Sequence, residues 1–473
     1  MLIMLFGRDL NEKRDKSTIV YYFKSMKSII ARRKNQMIFC TILSMLLCCC
    51  STSIFTNYSF KYNEPHSHDI SSEEVLKFPE GFLWGAATAS YQVEGGNTNS
   101  NWWEFEQQGG TIKNDDSAEV AADHYNRFEE DFDLTKELNL NSYRFSIEWS
   151  RIEPEKGVYE MEEIEHYRDV LDSLHKRGIE PMVTLWHFSL PQWFEDEGGW
   201  SNSQSVDTFL EYVELVVENL EDPVTLWNTI NEPMAYIACT HVSAKWPPAE
   251  VDVSKILPIF TNLTKAHREA YKIIHESDKD AQVGIAEHSS YIVPDSEKNI
   301  FENMGAFLAD YFWIHFIVGK VAEHLDFIGV HYYYKQVIRS SLVIDIFKKD
   351  TEEIEKVSLG RIYYPEGLFE VLVKFEKYNL PIYITEIGIP DYHEVDRDKF
   401  IEDHVRELYY AIREGVDVRG FYYWSLIDSF EWTEGYDAKF GLIALDLETL
   451  ERSIKEESWR YAEIADCNCI SNH

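Results

Sequence analysis

The sequence has 473 residues and a formal net charge of −37 at pH 7, from 45 basic and 82 acidic side chains. A chain this acidic cannot follow a phosphate backbone, which requires clustered Lys and Arg, so nucleic acid is excluded as a partner. Hydrophobic residues make up 45% of the chain and aromatic residues 14%, which excludes intrinsic disorder and allows a large buried core. The length fits two or three domains, but α/β barrels of this size are often single domains.

The N-terminal part differs from the rest in charge and hydropathy. Residues 1–36 contain nine basic and three acidic side chains, a charge of +6, which leaves −43 for the remainder. Met37 to Phe55 follows as 19 residues without a charge, close to the roughly 20 that a membrane-spanning helix needs. Basic residues on its N-terminal side predict that the bulk of the chain lies on the extracytoplasmic or lumenal side. We therefore predict a membrane-anchored or secreted protein, with a linker over residues 56–75.

Three interpretations of the segment 37–55 stay open. It is a retained membrane anchor, a cleaved secretory signal peptide with Met26 as the true start, or a bacterial lipoprotein signal. Two N-glycosylation sequons, at Asn57 and Asn262, predict a glycoprotein if the cell is eukaryotic and the barrel is lumenal.

Cysteine usage separates the leader from the rest of the chain. Four of the seven cysteines lie in the apolar segment, and the remainder are Cys239, Cys467 and Cys469. Three cysteines do not make a disulfide framework. A metal site at Cys467 and Cys469 is disfavoured because no His or Cys cluster accompanies them, so residues 467–473 are predicted to be a frayed tail.

From residue 76 to residue 466 one pattern repeats. Short runs rich in β-branched and aromatic residues alternate with longer amphipathic stretches. The runs are apolar on both faces, as buried parallel strands are. They are Phe82–Thr88, Ser142–Ile147, Glu180–Leu185, Val224–Asn231, Gln282–His288, Asp326–Tyr333, Pro381–Ile387 and Val418–Ser425. The clearest helical patterns between them are Asp123–Leu138, Ile164–His175 and Lys399–Arg413. Eight such units in order predict an α/β fold, a single (β/α)8 TIM barrel over 76–466.

Two glutamates stand where predicted strands end, which is where such barrels carry their chemistry. Glu232 ends the fourth strand and Glu386 ends the seventh. Buried charges are costly unless they are paired or used. Two facing carboxyl groups predict glycoside hydrolysis, with retention of configuration if they lie about 5 Å apart. Arg144, on the second strand, is a candidate to pair with the attacking carboxylate and keep it ionised.

Six motifs in order carry a family resemblance. They are Phe78–Gly95, Tyr143–Ile152, Leu185–Pro191, Asn231–Pro233, Trp424–Gly435 and Phe440–Gly441. Over about residues 76–465 the chain resembles family 1 of the glycoside hydrolases, the retaining β-glucosidases and β-galactosidases. One such match would be weak, but six in this order are very specific.

The resemblance implies a role for each matched residue. It implies that Glu232 is the acid/base, that Glu386 is the nucleophile and that Tyr333 hydrogen-bonds the nucleophile. Planar amide and carboxyl groups hydrogen-bond sugar hydroxyls, and indole rings cover the apolar sugar face. The side chains implied to grip the sugar are Gln92, His187, Asn231, Trp424, Glu431, Trp432 and Phe440. No metal or organic cofactor is expected, because this mechanism needs carboxyl groups alone.

Four positions bear on the substrate. Members of the family that act on phosphorylated sugars lack the acid at Glu431, so a non-phosphorylated sugar is expected. Phe188 stands where the family usually has Trp. His331 and Ile387 each stand where it usually has Asn, and hydrolysis is expected to survive all three departures.

The sequence therefore predicts an enzyme, a retaining exo-β-glycosidase that hydrolyses terminal non-phosphorylated β-D-glucosides or β-D-galactosides by double displacement. The alternative is a membrane-associated transglycosylase that uses the same carboxyl pair on a glycolipid. A non-catalytic receptor built on the same barrel is disfavoured, because both glutamates are present. The predicted partners are a small-molecule β-glycoside and, through residues 37–55, a membrane.

Overall fold

The computed structural model describes residues 75–220, 224–339 and 362–470. Within them, eight strands form a closed barrel in which every neighbouring pair is parallel and the last strand bonds to the first. The strands are β1 (Leu83–Ala87), β2 (Ser142–Ser146), β3 (Glu180–Trp186), β4 (Leu226–Asn231), β5 (Gln282–Pro294), β6 (Phe327–Ile338), β7 (Ile382–Ile387) and β8 (Val418–Trp424). The predicted (β/α)8 barrel is confirmed.

A longer helix follows each strand, so the chain has the alternating order that the sequence predicts. These helices are α1 (His124–Glu137), α2 (Met161–Lys176), α3 (Ser205–Asn219), α4 (Val253–Ser277), α5 (Ile300–Asp310), α6 (Glu366–Phe375), α7 (Arg397–Arg413) and α8 (Trp459–Cys467). Shorter helices that carry or flank site residues are Ser90–Val93, Trp149–Ile152, Gln192–Asp196, Pro233–Ile237, Ala238–Val242, Tyr311–His315 and Trp432–Glu434. The core lies inside the barrel and between the strands and this outer ring of helices.

Predicted and observed bounds agree within two residues for six of the eight strands. The exceptions are β5 and β6, which are longer than predicted. Their pairing with β4 and β7 ends at Ala286 and His331, yet they stay paired with each other as far as Pro294 and Ile338. The sequence prediction ended these strands at His288 and Tyr333, because the polar side chains near these positions interrupt the apolar pattern that marks a buried strand.

The ends of the barrel chain are paired with each other. Leu76–Lys77 forms a short antiparallel ladder with Cys469–Ile470, and the Trp84 indole N–H donates to Asn468 Oδ1 at 2.9 Å. Cys467 and Cys469 form a disulfide. The structure therefore differs from the predicted frayed tail, because Ile470 is buried and its strand is held by backbone hydrogen bonds.

Gly388, directly after β7, packs against the end of β8. A Cβ atom there would lie 1.9 Å from the Trp424 carbonyl oxygen, which is far inside non-bonded contact. We expect Gly388→Ala to push the two strand ends apart and to lower the free energy of unfolding by about 1–3 kcal/mol. Thermal unfolding followed by circular dichroism measures the change. The control is Gly319→Ala, where the nearest side-chain atom lies at 3.5 Å; equal melting temperatures for the two variants would contradict the prediction.

Candidate active site

Glu386 ends β7 and is held from two sides. Arg144 Nη1 donates to Glu386 Oε1 at 2.6 Å, and the Tyr333 hydroxyl donates to Oε2 at 2.8 Å. Arg144 is fully buried on β2. Burial and the neighbouring Glu386 charge raise the pKa of Tyr333 well above its usual value, so its hydroxyl stays a donor. The ion pair with Arg144 and the hydrogen bond from Tyr333 fix the orientation of the Glu386 carboxyl group.

Glu232 follows β4 and faces Glu386 across the barrel mouth. Its backbone has φ +40°, a left-handed conformation that is rare for a residue with a side chain. Its carboxyl oxygen Oε1 lies 2.6 Å from His331 Nδ1 and 3.3 Å from His288 Nδ1. Burial raises the pKa of the Glu232 carboxyl group, but the charges and hydrogen bonds of His288 and His331 outweigh burial and bring the pKa below its usual range.

The two carboxyl groups are close enough for a retaining mechanism. Ligand atoms of Glu232, His331 and Glu386 all lie within 4.8 Å of one another, close to the roughly 5 Å separation typical of retaining glycosidases. The same spacing would fit a metal ion. Each of these three side chains already takes part in a hydrogen bond or close polar contact within the site.

Gln92 and Glu431 meet on the other side of the pocket. Gln92 Nε2 donates to the Phe430 carbonyl at 2.7 Å and to Glu431 Oε2 at 3.1 Å. Among the described residues Gln92 Oε1 has no hydrogen-bond partner. Burial raises the pKa of Glu431 to about 8 against the opposing hydrogen bonds from Gln92 and Trp424, so this group is largely protonated at neutral pH. An amide and a protonated carboxyl can each both donate to and accept from a sugar hydroxyl.

His187 and Asn231 form a second polar edge. The Asn231 amide nitrogen lies 3.1 Å from His187 Nε2, and since an amide nitrogen only donates, Nε2 is the acceptor and Nδ1 carries the proton. In the described part of the chain Nδ1 has no partner. Burial, and then the charge of Arg144, lowers the pKa of His187 well below its usual value. His187 is therefore a neutral donor, and Asn231 Oδ1 accepts from Arg144.

Aromatic rings complete the wall of the pocket. His187 stacks on Trp424 at 5.8 Å and on Trp432 at 6.1 Å. Phe440 packs edge-on against Tyr333 at 6.3 Å. All eleven predicted site residues are thus joined by contacts into one cluster at the C-terminal ends of the strands.

One of the departures from the family pattern, Phe188, has a structural explanation. Phe188 contacts Trp246 at 4.7 Å, and Trp246 lies 5.8 Å from Trp432, so an indole from another loop fills the space beside the smaller ring. Ile387 is fully buried, one residue beyond Glu386.

Sequence reasoning missed two neighbours of Glu232. His288 lies beside His331 across β5 and β6, and its ring stacks on Tyr333 and packs edge-on against Trp313. Glu287 is buried, and neither carboxyl oxygen has a partner among the described residues. Burial raises its pKa well above the usual value, with a further contribution from Glu232. The predicted end of β5 at His288 was the available signal for the first of them.

Comparison with known proteins identifies the family. The model of glycosyl hydrolase family 1 matches residues 75–320 and 315–470. The chain belongs to glycosyl hydrolase family 1. Beta-glucosidase A of Thermotoga maritima is 34% identical over 447 residues, which cover 84% of this chain and 100% of that protein. The solved structure of a Thermotoga maritima β-glucosidase in complex with glucoimidazole is similar with a TM-score of 0.76 and 32% identity, over 83% of this chain and 100% of the other.

Another relative has a different named activity. A chloroplastic galactolipid galactosyltransferase of Arabidopsis thaliana is 33% identical over 354 residues, which cover 70% of this chain but 56% of that protein. The predictions of an enzyme and of a retaining β-glycosidase are confirmed for this family 1 member.

The comparisons with known proteins contradict the localisation predicted from the sequence, membrane-anchored or secreted. A β-glucosidase and a 1,4-β-D-glucan glucohydrolase of two Thermotoga species are matched over 100% of their length by 84% of this chain, and this match gives no support to a membrane anchor. In residues 75–220, 224–339 and 362–470 no helix has the length and apolarity needed to cross a membrane. The segment 37–55 and the sequon at Asn57 lie outside the described residues.

The second sequon is not presented for glycosylation. The amide nitrogen of Asn262 donates to the carbonyl oxygens of Trp200 and Asn202, each at 2.9 Å. A glycan would replace one of the two hydrogens on this nitrogen and would therefore break at least one of these hydrogen bonds, so the prediction of a glycoprotein has no support at Asn262.

Proposed function

We propose that the protein is an exo-acting β-glycosidase that removes a terminal, non-phosphorylated β-D-glucose or β-D-galactose residue by double displacement. The observation that carries the proposal is the facing pair of carboxyl groups at the mouth of the barrel, one held by Arg144 and the other by two histidines. The names of the family 1 relatives support glucosides as the first class to test.

In the first step Glu386 attacks the anomeric carbon. Arg144 and Tyr333 orient the carboxylate and leave its charge available, because hydrogen bonds of this kind stabilise the ionised form. The glycosidic bond breaks, its electron pair goes to the aglycone oxygen, and Glu232 is the group placed to protonate that oxygen. The product is a glycosyl ester of Glu386.

In the second step the roles of Glu232 reverse. It accepts a proton from a water molecule, the water oxygen bonds to the anomeric carbon, and the ester bond to Glu386 breaks. Two inversions give overall retention of configuration.

The hydrogen-bonding groups of Gln92, His187 and Glu431 support a sugar that is not phosphorylated. His187 Nδ1 offers a donor and Gln92 Oε1 offers an acceptor, while Glu431 does both. Family members that act on phosphorylated sugars lack the acid at the position of Glu431, which supports a non-phosphorylated sugar here.

Glu431 is the residue with which to test sugar recognition. We expect Glu431→Ala, which removes both carboxyl oxygens, to lower kcat/KM by about 10–100-fold, the size of one or two hydrogen bonds to a buried polar group. Steady-state kinetics on an aryl β-glucoside measures the change. The control is Glu434→Ala, which replaces an exposed acid of the same turn; an equal effect of both substitutions would contradict the assignment.

The function itself is tested with aryl β-glucosides and β-galactosides that differ at the sugar 4-position. The first product, read by NMR before mutarotation, is expected to be the β-anomer. A 2-deoxy-2-fluoro-β-glucoside is expected to inactivate the protein and to label a peptide that contains Glu386. Inverted product, label on another residue, or no release of aglycone would each refute the proposal.

The transglycosylase alternative shares the first step and differs in the acceptor. The galactosyltransferase relative is matched over 56% of its length, so hydrolysis remains the favoured proposal. Product analysis with a galactolipid acceptor separates the two, because transfer would give an elongated lipid and hydrolysis would give free sugar.

A further inference from the structure

Two imidazole rings contact the same oxygen of Glu232. His331 is fully buried on β6 and stands between the carboxyl groups, with Nδ1 2.6 Å from Glu232 Oε1 and 3.3 Å from Glu386 Oε2. His288, on β5, places its own Nδ1 3.3 Å from Glu232 Oε1. Each ring can donate an N–H to the carboxylate, as an amide could. Each ring can also carry a positive charge, which an amide cannot.

The surroundings fix both rings. His288 Nε2 lies 3.3 Å from Ser290 Oγ and 3.4 Å from the Tyr334 hydroxyl. His331 Nε2 has no partner among the described residues, so the hydrogen-bonding capacity of this ring is directed at the carboxyl groups. Each Nδ1 atom stabilises an ionised Glu232 carboxylate only if the nitrogen carries a proton that it can donate.

Among the described residues, few other groups facing Glu232 carry charge. Arg144 on β2 is paired with Glu386. Burial raises the pKa of Glu287 on β5 well above its usual value and raises that of Glu431 after β8 to about 8, which favours the neutral form of both. His187, directly after β3, is neutral because burial and Arg144 lower its pKa. Tyr333 on β6 is neutral because its pKa is raised.

The nearest positive partners that Glu232 can have are therefore His288 and His331. Both stabilise its ionised form, the form that activates water in the second step. Proton donation to the leaving group in the first step needs the opposite form.

We propose that His288 and His331 are positioning residues that hold Glu232 ionised in the free protein, so that this chain favours base catalysis of the second step over acid catalysis of the first. The inference rests on the proposed function, in which Glu232 is the acid/base. The substrates that suit such a site are glycosides whose aglycone leaves as a stable anion, such as acidic phenols. There the electron pair of the breaking bond stays on the aryloxide, and the proton comes later from solvent.

The test compares two aryl glucosides across pH. A phenyl β-glucoside has a strongly basic leaving group and needs acid assistance, whereas a 2,4-dinitrophenyl β-glucoside does not. The alkaline limb of kcat/KM reports the acid of the free enzyme. With the phenyl substrate we expect this limb in the acidic range for the unmodified protein. We expect the alkaline limb to move up by about one pH unit in His331→Asn and further in the double variant that also carries His288→Asn. A shift of one pH unit raises kcat/KM at neutral pH about tenfold. With the dinitrophenyl substrate kcat/KM is expected to be unchanged.

Several results would overturn the inference. One is an alkaline limb near or above neutral pH in the unmodified protein, a measurement that needs no variant. Another is a His331→Asn pH profile of kcat/KM that is identical to that of the unmodified protein. A third is an equal loss of kcat/KM with both substrates, which a purely structural role would give. His393→Asn, in the exposed loop after β7, controls for loss of a histidine. Failure of the proposed function would look different, since the unmodified protein would then release no dinitrophenolate at any pH.

Discussion

Replacing Glu386 by Gly is expected to lower hydrolysis of an aryl β-glucoside by at least about 10⁴-fold, since the covalent route disappears with the attacking carboxylate. Sodium azide or formate is expected to restore part of the rate. The small anion enters the space left by the side chain, where Arg144 and Tyr333 have lost their partner. With azide the expected product is the α-glycosyl azide, because one displacement inverts the anomeric carbon.

Proton NMR of the azide product is the decisive measurement. A β-glycosyl azide from Glu386→Gly would mean that the roles of the two glutamates are exchanged. Glu394→Gly, an exposed acid a few residues further along the chain, is the matched control and should retain full activity. Because removing one partner of a buried ion pair is destabilising by about 3–5 kcal/mol, the Glu386→Gln protein serves as a second variant that keeps the shape of the site.

Replacing Glu232 by Ala is expected to separate the two chemical steps. General acid–base assistance contributes about 10²–10⁴-fold, so kcat for 2,4-dinitrophenyl β-glucoside should fall by that amount as the second step loses its base. Its kcat/KM should change little, because the leaving group departs without a proton. Rapid-mixing kinetics should then show a burst of dinitrophenolate.

Azide provides the complementary readout for Glu232→Ala. It is expected to attack the glycosyl ester in place of activated water and to give the β-glycosyl azide, the opposite anomer from that of the Glu386 variant. Loss of kcat/KM in parallel with kcat, with no burst, would show that Glu232 acts elsewhere. Glu250→Ala, an acid on the loop before α4 that pairs with Lys255, tests for unspecific effects of losing a carboxyl group.

The barrel was predictable from the sequence because its strands are buried on both faces, which makes them continuous apolar runs of distinctive length. The placement of Glu232 and Glu386 followed from the same rule, since polar residues that end such runs lie at one rim. The extensions of β5 and β6 were not predictable in this way. They follow directly after His288 and Tyr333, polar and aromatic side chains at the barrel mouth that interrupt the apolar pattern of a buried strand.

Contacts between distant parts of the chain could not be predicted from the sequence either. Nothing local to Phe188 indicates that Trp246, almost 60 residues later, fills the space beside it. The approach of His288 to Glu232 depends on the register between neighbouring strands, which a single sequence does not specify. Ile470 is buried at the end of the described chain because a partner strand lies almost 400 residues earlier.

That pairing of the first and last strands has a practical consequence. Leu76–Lys77 and Cys469–Ile470 meet beside the start of β1, at the end of the barrel opposite to the carboxyl pair. A purification tag or a fused domain attached at residue 75 or at residue 470 begins at the same spot and leaves the substrate opening unobstructed. The proximity of the two ends also makes the barrel suitable for circular permutation, in which a short linker joins them and new termini are opened elsewhere.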